Sequence, residues 1–306
     1  MSHKKVSMNC RILKWVPFLR RIYNSRWFRE LLIFLRRDQI ILYKLNQKTK
    51  NGYINLHWWG NNCSKGDNEE NLGDFLSTIV CSYMIKLKNL GFDTYVRKTK
   101  HLYGVGSIID GGFQNATIWG SGLIEEPMGK LRLNPLIRKL DIRAVRGPET
   151  CRLLIEKGYV CPDKYGDPAI LMPLIYSPKT FDLKKDFVVV LHHASLFFFE
   201  NNLDIKTTDY KFFIDIMFNS KKVISSSLHG IVLAEAYGVQ AVLLDDVATQ
   251  KSLLKFDDYY FSTNRFKYPI AKNINEAVSL TPICLPDNLD ELRKNLIDSF
   301  PYDLWV

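Results

Sequence analysis

Between Tyr53 and Asp245 short apolar runs alternate with longer stretches whose apolar residues recur every three or four positions, and these two periods predict an alternating α/β chain. In the first half the pattern predicts a strand over Tyr53–Trp58 and a helix over Asp74–Leu90 that stops at Gly91. Short strands follow at Asp93–Arg97, Gly104–Ile108 and Ala116–Trp119, then one at Ile142–Val145 that feeds a helix over Pro148–Lys157. Pro148 falls inside that helix's first turn and Gly158 just beyond its end, the usual asymmetry of helix punctuation. A second half begins with a buried strand at Phe187–Leu191, a helix at Asp209–Asn219 and a strand at Lys222–Ser226. A helix from Leu228 to Tyr237, stopped by Gly238, and a strand over Gln240–Asp245 complete it. Two α/β halves, 51–172 and 173–306 with a terminal helix in the second, join near Met172–Lys184 and place a cleft at the carboxyl ends of their strands.

Residues 1–50 stand apart. From Arg11 to Arg37 apolar residues such as Trp15, Leu19, Ile22, Trp27, Leu31 and Phe34 alternate with arginines, and Pro17 limits the best helix to 18–37. The chain of 306 residues carries a net charge of +10, but the first 50 residues hold 13 Lys/Arg against Glu30 and Asp38. The other 256 residues hold 29 basic and 30 acidic side chains, a net of −1, so the body is neutral. A neutral body argues against nucleic acid as a partner, since phosphate neutralisation supplies most of that affinity. The basic amphipathic segment fits an anionic membrane surface instead, through residues 11–37; a helix packed on its own domain with arginines in solvent is the alternative. No apolar run approaches the roughly 18 residues of a membrane span, and arginines interrupt any secretory signal. The expected location is therefore cytoplasmic, peripheral on the inner face of the membrane. The six cysteines form no CxxC pair and read as free thiols, the six histidines show no zinc-ligand spacing, and His192–His193 on a strand would point to opposite faces. No metal is expected.

Four segments concentrate polar and glycine residues at strand ends. Asn71-Leu72-Gly73-Asp74 opens a helix: Asn71 or Asp74 suits a cap, and Gly73 admits close approach of a backbone or ligand. Gly104-Val105-Gly106-Ser107 and Trp119-Gly120-Ser121-Gly122 follow short strands and suit approach of a phosphate or sugar, although neither matches a dinucleotide or Walker fingerprint. Arg143-Ala144-Val145-Arg146-Gly147-Pro148 puts arginine at a strand end before a helix, where it grips a carboxylate or phosphate or pairs with a surface acid. In Ser225-Ser226-Ser227-Leu228-His229-Gly230 a histidine opens a helix, which places its protonation under the control of a bound anion; a core or capping histidine is the plainer reading. Glu235 lies about 240° around that helix from His229 and does not share its face.

In order along the chain, NLGD (71–74), VGSI (105–108), IWGSGL (118–123), VRGPET (145–150), YGDPAIL (165–171) and SSSLHGIVLAEAYGV (225–239) resemble the polysaccharide pyruvyltransferases, especially the branch that adds ketal pyruvate to exopolysaccharides. The resemblance covers about residues 53–245. It implies a GT-B-like fold of two Rossmann-like lobes, and transfer of pyruvate from phosphoenolpyruvate, with no cofactor, to two hydroxyls of one sugar in a polysaccharide or a lipid-linked oligosaccharide. It implies catalytic roles for His229 as acid/base and Arg146 as the anion grip, and Asp74 as a base unless it caps its helix. Substrate contacts are implied for Asn71, Gly73, Gly106, Ser107, Gly120, Ser121, Arg143, Asp167, Ser226, Ser227 and Leu228. Many relatives carry arginine where this chain has Ser227, so Lys221, Lys222 or Arg143 is expected to supply a second positive charge. Two rival readings are a nucleotide-sugar glycosyltransferase on the same fold and a non-catalytic membrane- or carbohydrate-binding protein.

Overall fold

The structure, a computed structural model, describes residues 49–58, 71–112, 114–125, 131–182, 185–195, 199, 202–246, 249–250 and 253–306. The basic helix expected over 18–37 and the polar loop 61–70 lie outside these residues.

Among the described residues, two four-stranded sheets, both wholly parallel, organise the fold. The first contains β1 (Ile54–His57), β2 (Lys100–Tyr103), β3 (Ala116–Trp119) and β4 (Leu140–Ala144). The second contains β5 (Val188–Val190), β6 (Lys222–Ser225), β7 (Gln240–Leu244) and β8 (Ile270–Ala271). All four residues of β3 and all three of β5 are buried, as parallel strands covered on both faces require. Within each sheet the strands follow chain order, so neither contains, among the described strands, the order reversal that marks the switch point of a doubly wound fold. The polar cluster described below forms instead where the carboxyl ends of the two sheets meet.

The helices among the described residues include α1 (Leu72–Lys86), α2 (Pro148–Glu156), α3 (Tyr210–Phe218), α4 (Leu228–Ala236), α5 (Leu254–Ser262), α6 (Ile274–Ser279) and α7 (Leu289–Ser299). Asn71 caps α1, its Oδ1 accepting from the Gly73 amide at 2.9 Å, and Leu72, Leu76, Val80 and Met84 then line one buried face. Burying each such side chain is worth about 1.5–3 kcal/mol. The helix ends four residues before the predicted Leu90, because Asn89 takes a left-handed φ of 54° and the Leu90 amide turns back to Ile85 O at 3.0 Å. Asn89 thus plays the closing part expected of Gly91. Gly158 and Gly238 close α2 and α4 with φ of 90° and 75°, as predicted.

Two predicted strands are misplaced. Asp93–Arg97 forms turns, tied to the first sheet by the Val96 amide on Gly52 O at 2.8 Å, and the strand is Lys100–Tyr103. The stretch 104–108 is the loop after that strand, since Gly106 adopts φ 112°, a conformation closed to a strand. The His192–His193 expectation is also corrected. Strand β5 stops at Val190, and in the following turn the two rings lie side by side, 4.2 Å apart and tilted by 38°.

Residues 49–306 form one compact unit. Helix α7 and the tail return to the first sheet: Trp119 Nε1 donates to Leu296 O at 2.8 Å, Phe300 packs edge-on against Trp119, and Trp305 Nε1 donates to Gly91 O at 3.0 Å. No helix among the described residues is long and apolar enough to cross a membrane.

Candidate functional site

The three serines after β6 set the entry to α4. Ser225 Oγ donates to Val190 O at 2.8 Å and accepts from the Ser227 amide at 3.0 Å. Ser226 Oγ donates to Asp246 Oδ2 at 2.8 Å and accepts from the His192 amide at 2.9 Å. With the turn locked from both sides, Leu228 enters the core and His229 occupies the helix's first turn, 9% exposed. A Cβ on Gly73 would overlap the His229 ring at Nδ1, so glycine at 73 is what lets the imidazole lie against the first turn of α1. On the other side of the ring, Nε2 faces Asp167 Oδ2 at 3.6 Å. Both atoms are buried and neither has a hydrogen-bond partner, while Asp167 Oδ1 accepts from the Ala169 amide at 3.0 Å. A carboxylate behind an imidazole fixes its orientation.

Asp74 is not the cap of α1, since Asn71 performs that role. It lies partly buried, with its Oδ1 3.2 Å from where a Cβ on Gly106 would stand. Burial pushes its carboxyl above the ordinary range, and nearby His229 and Lys255 pull it back. Asn71 Nδ2 also reaches His193 Nδ1, 3.1 Å away, which brings the turn after β5 to the same place.

Arg146 has no exposed surface. Its Nε donates to Asp258 Oδ2 at 3.1 Å, Nη1 to Ser107 Oγ at 2.6 Å and Nη2 to Leu123 O at 2.6 Å. Asp258, from α5, also accepts from the Thr150 amide at 2.9 Å and the Thr150 hydroxyl at 2.6 Å. Burial raises the Asp258 pKa, and Arg146 opposes the rise. The VRGPET segment therefore docks α2 onto α5 through a buried ion pair, to which the hydroxyls of Thr150 and Ser107 are both joined. Close packing within the chain accounts for the glycines: Gly122 lies against the Arg146 guanidinium, Gly147 against the Asp258 backbone, and Gly120, at φ 78°, against Pro168. Ser121 is wholly buried and donates to Gly104 O.

The structure thus brings Asn71, Gly73, Asp74, Gly106, Ser107, Arg146, Asp167, Ser226 and His229 together. Ser227 adjoins them through its backbone, and Leu228 contributes core packing. Arg143 is not among them: it points outward from β4, pairing with Asp141 at 2.8 Å and Asp303 at 2.7 Å. Lys221 pairs with Asp186 at 2.7 Å on the surface, and Lys222 Nζ donates to the carbonyls of Ala277, Val278 and Leu280. None of the three cations expected to supplement the cluster reaches it.

Lys255 of α5 does reach it. This residue is 6% exposed, and burial, then the Arg146 charge, lower its pKa to about 8 against the pull of Asp74 and Asp246. Sequence reasoning missed it because Lys255 sits in a helix beyond the recognisable motifs, and nothing but a lysine three residues before Asp258 signalled its position. Acidic and basic groups are interleaved through the cluster as Asp167, His229, Asp74, Lys255, Arg146 and Asp258, with the two cations Lys255 and Arg146 side by side. Such an arrangement can hold a multiply charged anion and move protons next to it. Among the described residues no group of three His, Cys, Asp or Glu side chains is placed to hold a metal ion.

No curated protein matches the chain. Among solved structures, a functionally uncharacterised protein from Klebsiella pneumoniae subsp. pneumoniae is similar at 16% identity and a TM-score of 0.47, over 80% of this chain and 98% of that one. A family model for polysaccharide pyruvyl transferase matches residues 34–246, which contain all six sequence motifs and every cluster residue except Lys255 and Asp258. By that match the chain belongs to the polysaccharide pyruvyl transferase family.

Proposed function

We propose that this protein transfers the pyruvyl group of phosphoenolpyruvate to two hydroxyls of one sugar in a surface polysaccharide or its lipid-linked precursor, closing a cyclic ketal. The observation that carries this reading is His229, backed by Asp167 Oδ2, which has no hydrogen-bond partner, and flanked by Asp74 at the meeting point of the two sheets. In the first step an acid delivers a proton to the methylene carbon of the enol while a sugar oxygen bonds to the central carbon. In the second step the C–O bond to phosphate breaks, its electron pair leaves with phosphate, and the second hydroxyl bonds to the same carbon. Of the two hydroxyl protons, one ends in the new methyl group and the other on phosphate. His229 serves as the acid, with Asp167 holding the imidazolium in place. Asp74, whose raised pKa makes it a stronger base once ionised, takes the proton of the acceptor hydroxyl. Arg146, closed off by Asp258, Ser107 and Leu123, acts by positioning Ser107 and supplying positive potential.

Incubating the protein with phosphoenolpyruvate and a panel of glycans in heavy water tests this directly. The expected product is a pyruvate ketal with one deuterium in its methyl group and one phosphate released per ketal. Glycosyl transfer from a nucleotide sugar, with no ketal from phosphoenolpyruvate, would overturn it. The basic segment 11–37 is proposed to hold the enzyme on anionic membrane where a lipid-linked acceptor resides. Deleting residues 1–45 should abolish co-sedimentation with anionic vesicles and spare turnover of a soluble acceptor; unchanged sedimentation would sink the idea.

A further inference from the structure

Lys255 is the second residue of α5, and one turn along the same helix Asp258 binds Arg146 and Thr150. The contacts that dock α5 therefore also carry Lys255 into the polar cluster. Its surroundings differ from those of the other lysines near the strand ends. Lys221 has a carboxylate and Lys222 three carbonyls, whereas no hydrogen bond or ion pair to a described residue holds the Lys255 ammonium. Two carboxylates face it without bonding to it. Asp246 takes a hydrogen bond from Ser226, and burial drives Asp74 toward its neutral form. Arg146 faces it as a like charge. A buried cation without a full counter-charge is retained against a large desolvation cost, and a ligand anion supplies the missing partner.

We infer that Lys255 is the anion-binding residue of this cleft, its ammonium donating to an anionic oxygen of the donor substrate, phosphate or carboxylate. The inference rests on the pyruvyl-transfer reading for the identity of the donor, but the anion site itself does not. An anion that pairs with Lys255 raises its proton affinity, so binding above pH 8 draws a proton from solution. Isothermal titration at pH 8.5 in two buffers of different ionisation enthalpy reads that uptake. Phosphoenolpyruvate, inorganic phosphate and pyruvate are each titrated into wild type, Lys255→Met and Lys255→Arg.

Wild type is expected to take up a fraction of a proton with phosphoenolpyruvate. Lys255→Met should bind at least tenfold more weakly with no uptake attributable to this site. Lys255→Arg, which keeps the charge but does not titrate there, should restore binding without uptake and separates loss of charge from loss of fold. Comparing phosphate with pyruvate identifies which end of the donor Lys255 holds. If Lys255→Met binds phosphoenolpyruvate as tightly as wild type with the same uptake, the role of Lys255 is overturned and the pyruvyl-transfer reading stands. If wild type ignores phosphoenolpyruvate yet binds phosphate or pyruvate in a Lys255-dependent way, the anion site stands and the donor is wrong. Binding of none of the three overturns both.

Discussion

The two ends of α4 carry polar side chains six residues apart, and the surrounding structure treats them in opposite ways. Glu235, near the carboxyl end, is saturated: Arg265 reaches both of its oxygens at 2.7 and 2.5 Å, and the Tyr259 hydroxyl donates to it at 2.7 Å. Arg265 spends its remaining reach on Thr263 Oγ1 and Cys284 O. His229, in the first turn, has a buried Nε2 without a bonded partner, opposite a carboxylate oxygen in the same condition. A finished buried network adds rigidity but has nothing to offer a ligand, whereas an unfinished one keeps binding capacity in reserve at the cost of stability. The saturated end of α4 is architecture, and the unfinished end belongs to the site.

The largest effect that separates the two ends is on stability. Glu235→Ala leaves Arg265 buried without its counter-charge, and chemical denaturation should show a loss of about 3–5 kcal/mol. A loss below about 1 kcal/mol would mean that the network is not structural.

Next is Lys255→Met, where the sign reverses. The folded-state pKa of Lys255, about 8, lies below its unfolded value near 10.5, so folding opposes its charge. At pH 7 the wild-type chain carries this cost in full, and the apolar variant should be more stable by roughly 3 kcal/mol at most. As pH rises from about 8 to about 10.5 the unfolded chain holds more protons than the folded one, wild type recovers, and the advantage of the variant disappears. Melting temperatures of both proteins across that range check this; a constant difference would contradict it.

The motif residues were legible in the sequence to different depths. The spacing of glycines and polar residues after apolar runs located the strand ends, and Ala116–Trp119 and the α4 stop at Gly238 fell where the pattern placed them. Strands β1, β6 and β7 were placed within one or two residues. What that spacing does not contain is which group occupies the room a glycine leaves. Gly73, Gly106 and Gly122 read as openings for a ligand, yet they face the side chains of His229, Asp74 and Arg146. Those contacts join residues 24 to 156 positions apart, beyond any local periodicity. Lys255 escaped for the same reason, since only the docking of α5 through Asp258 gives it a place. Strand β2 was misread because Val105 and Ile108 look like strand residues, while the φ of Gly106 turns the chain out of the sheet.

Gly73→Ala tests the packing at the open end of α4. A Cβ there displaces the imidazole, and overpacking should destabilise by about 1–3 kcal/mol. On the proposed reaction, displacing the imidazole by about 1 Å should also lower transfer roughly 100-fold. Full activity in a steady-state assay would show that the position of His229 is not critical. The smallest effect is expected at Arg143, whose partners are exposed. Arg143→Ala should change stability by no more than about 1 kcal/mol in denaturant and leave transfer unchanged. A large drop in transfer would return Arg143 to the site.

The unfinished end of α4 is most directly tested by the melting shift that phosphoenolpyruvate produces in wild type and in His229→Ala, beside UDP, CMP and GDP. A ligand at 100 times its dissociation constant stabilises by about 2.7 kcal/mol, or several degrees for a chain of this size. The account predicts that shift with phosphoenolpyruvate, none with the nucleotides, and a clear reduction in His229→Ala; a nucleotide shift in wild type with none from phosphoenolpyruvate would contradict it.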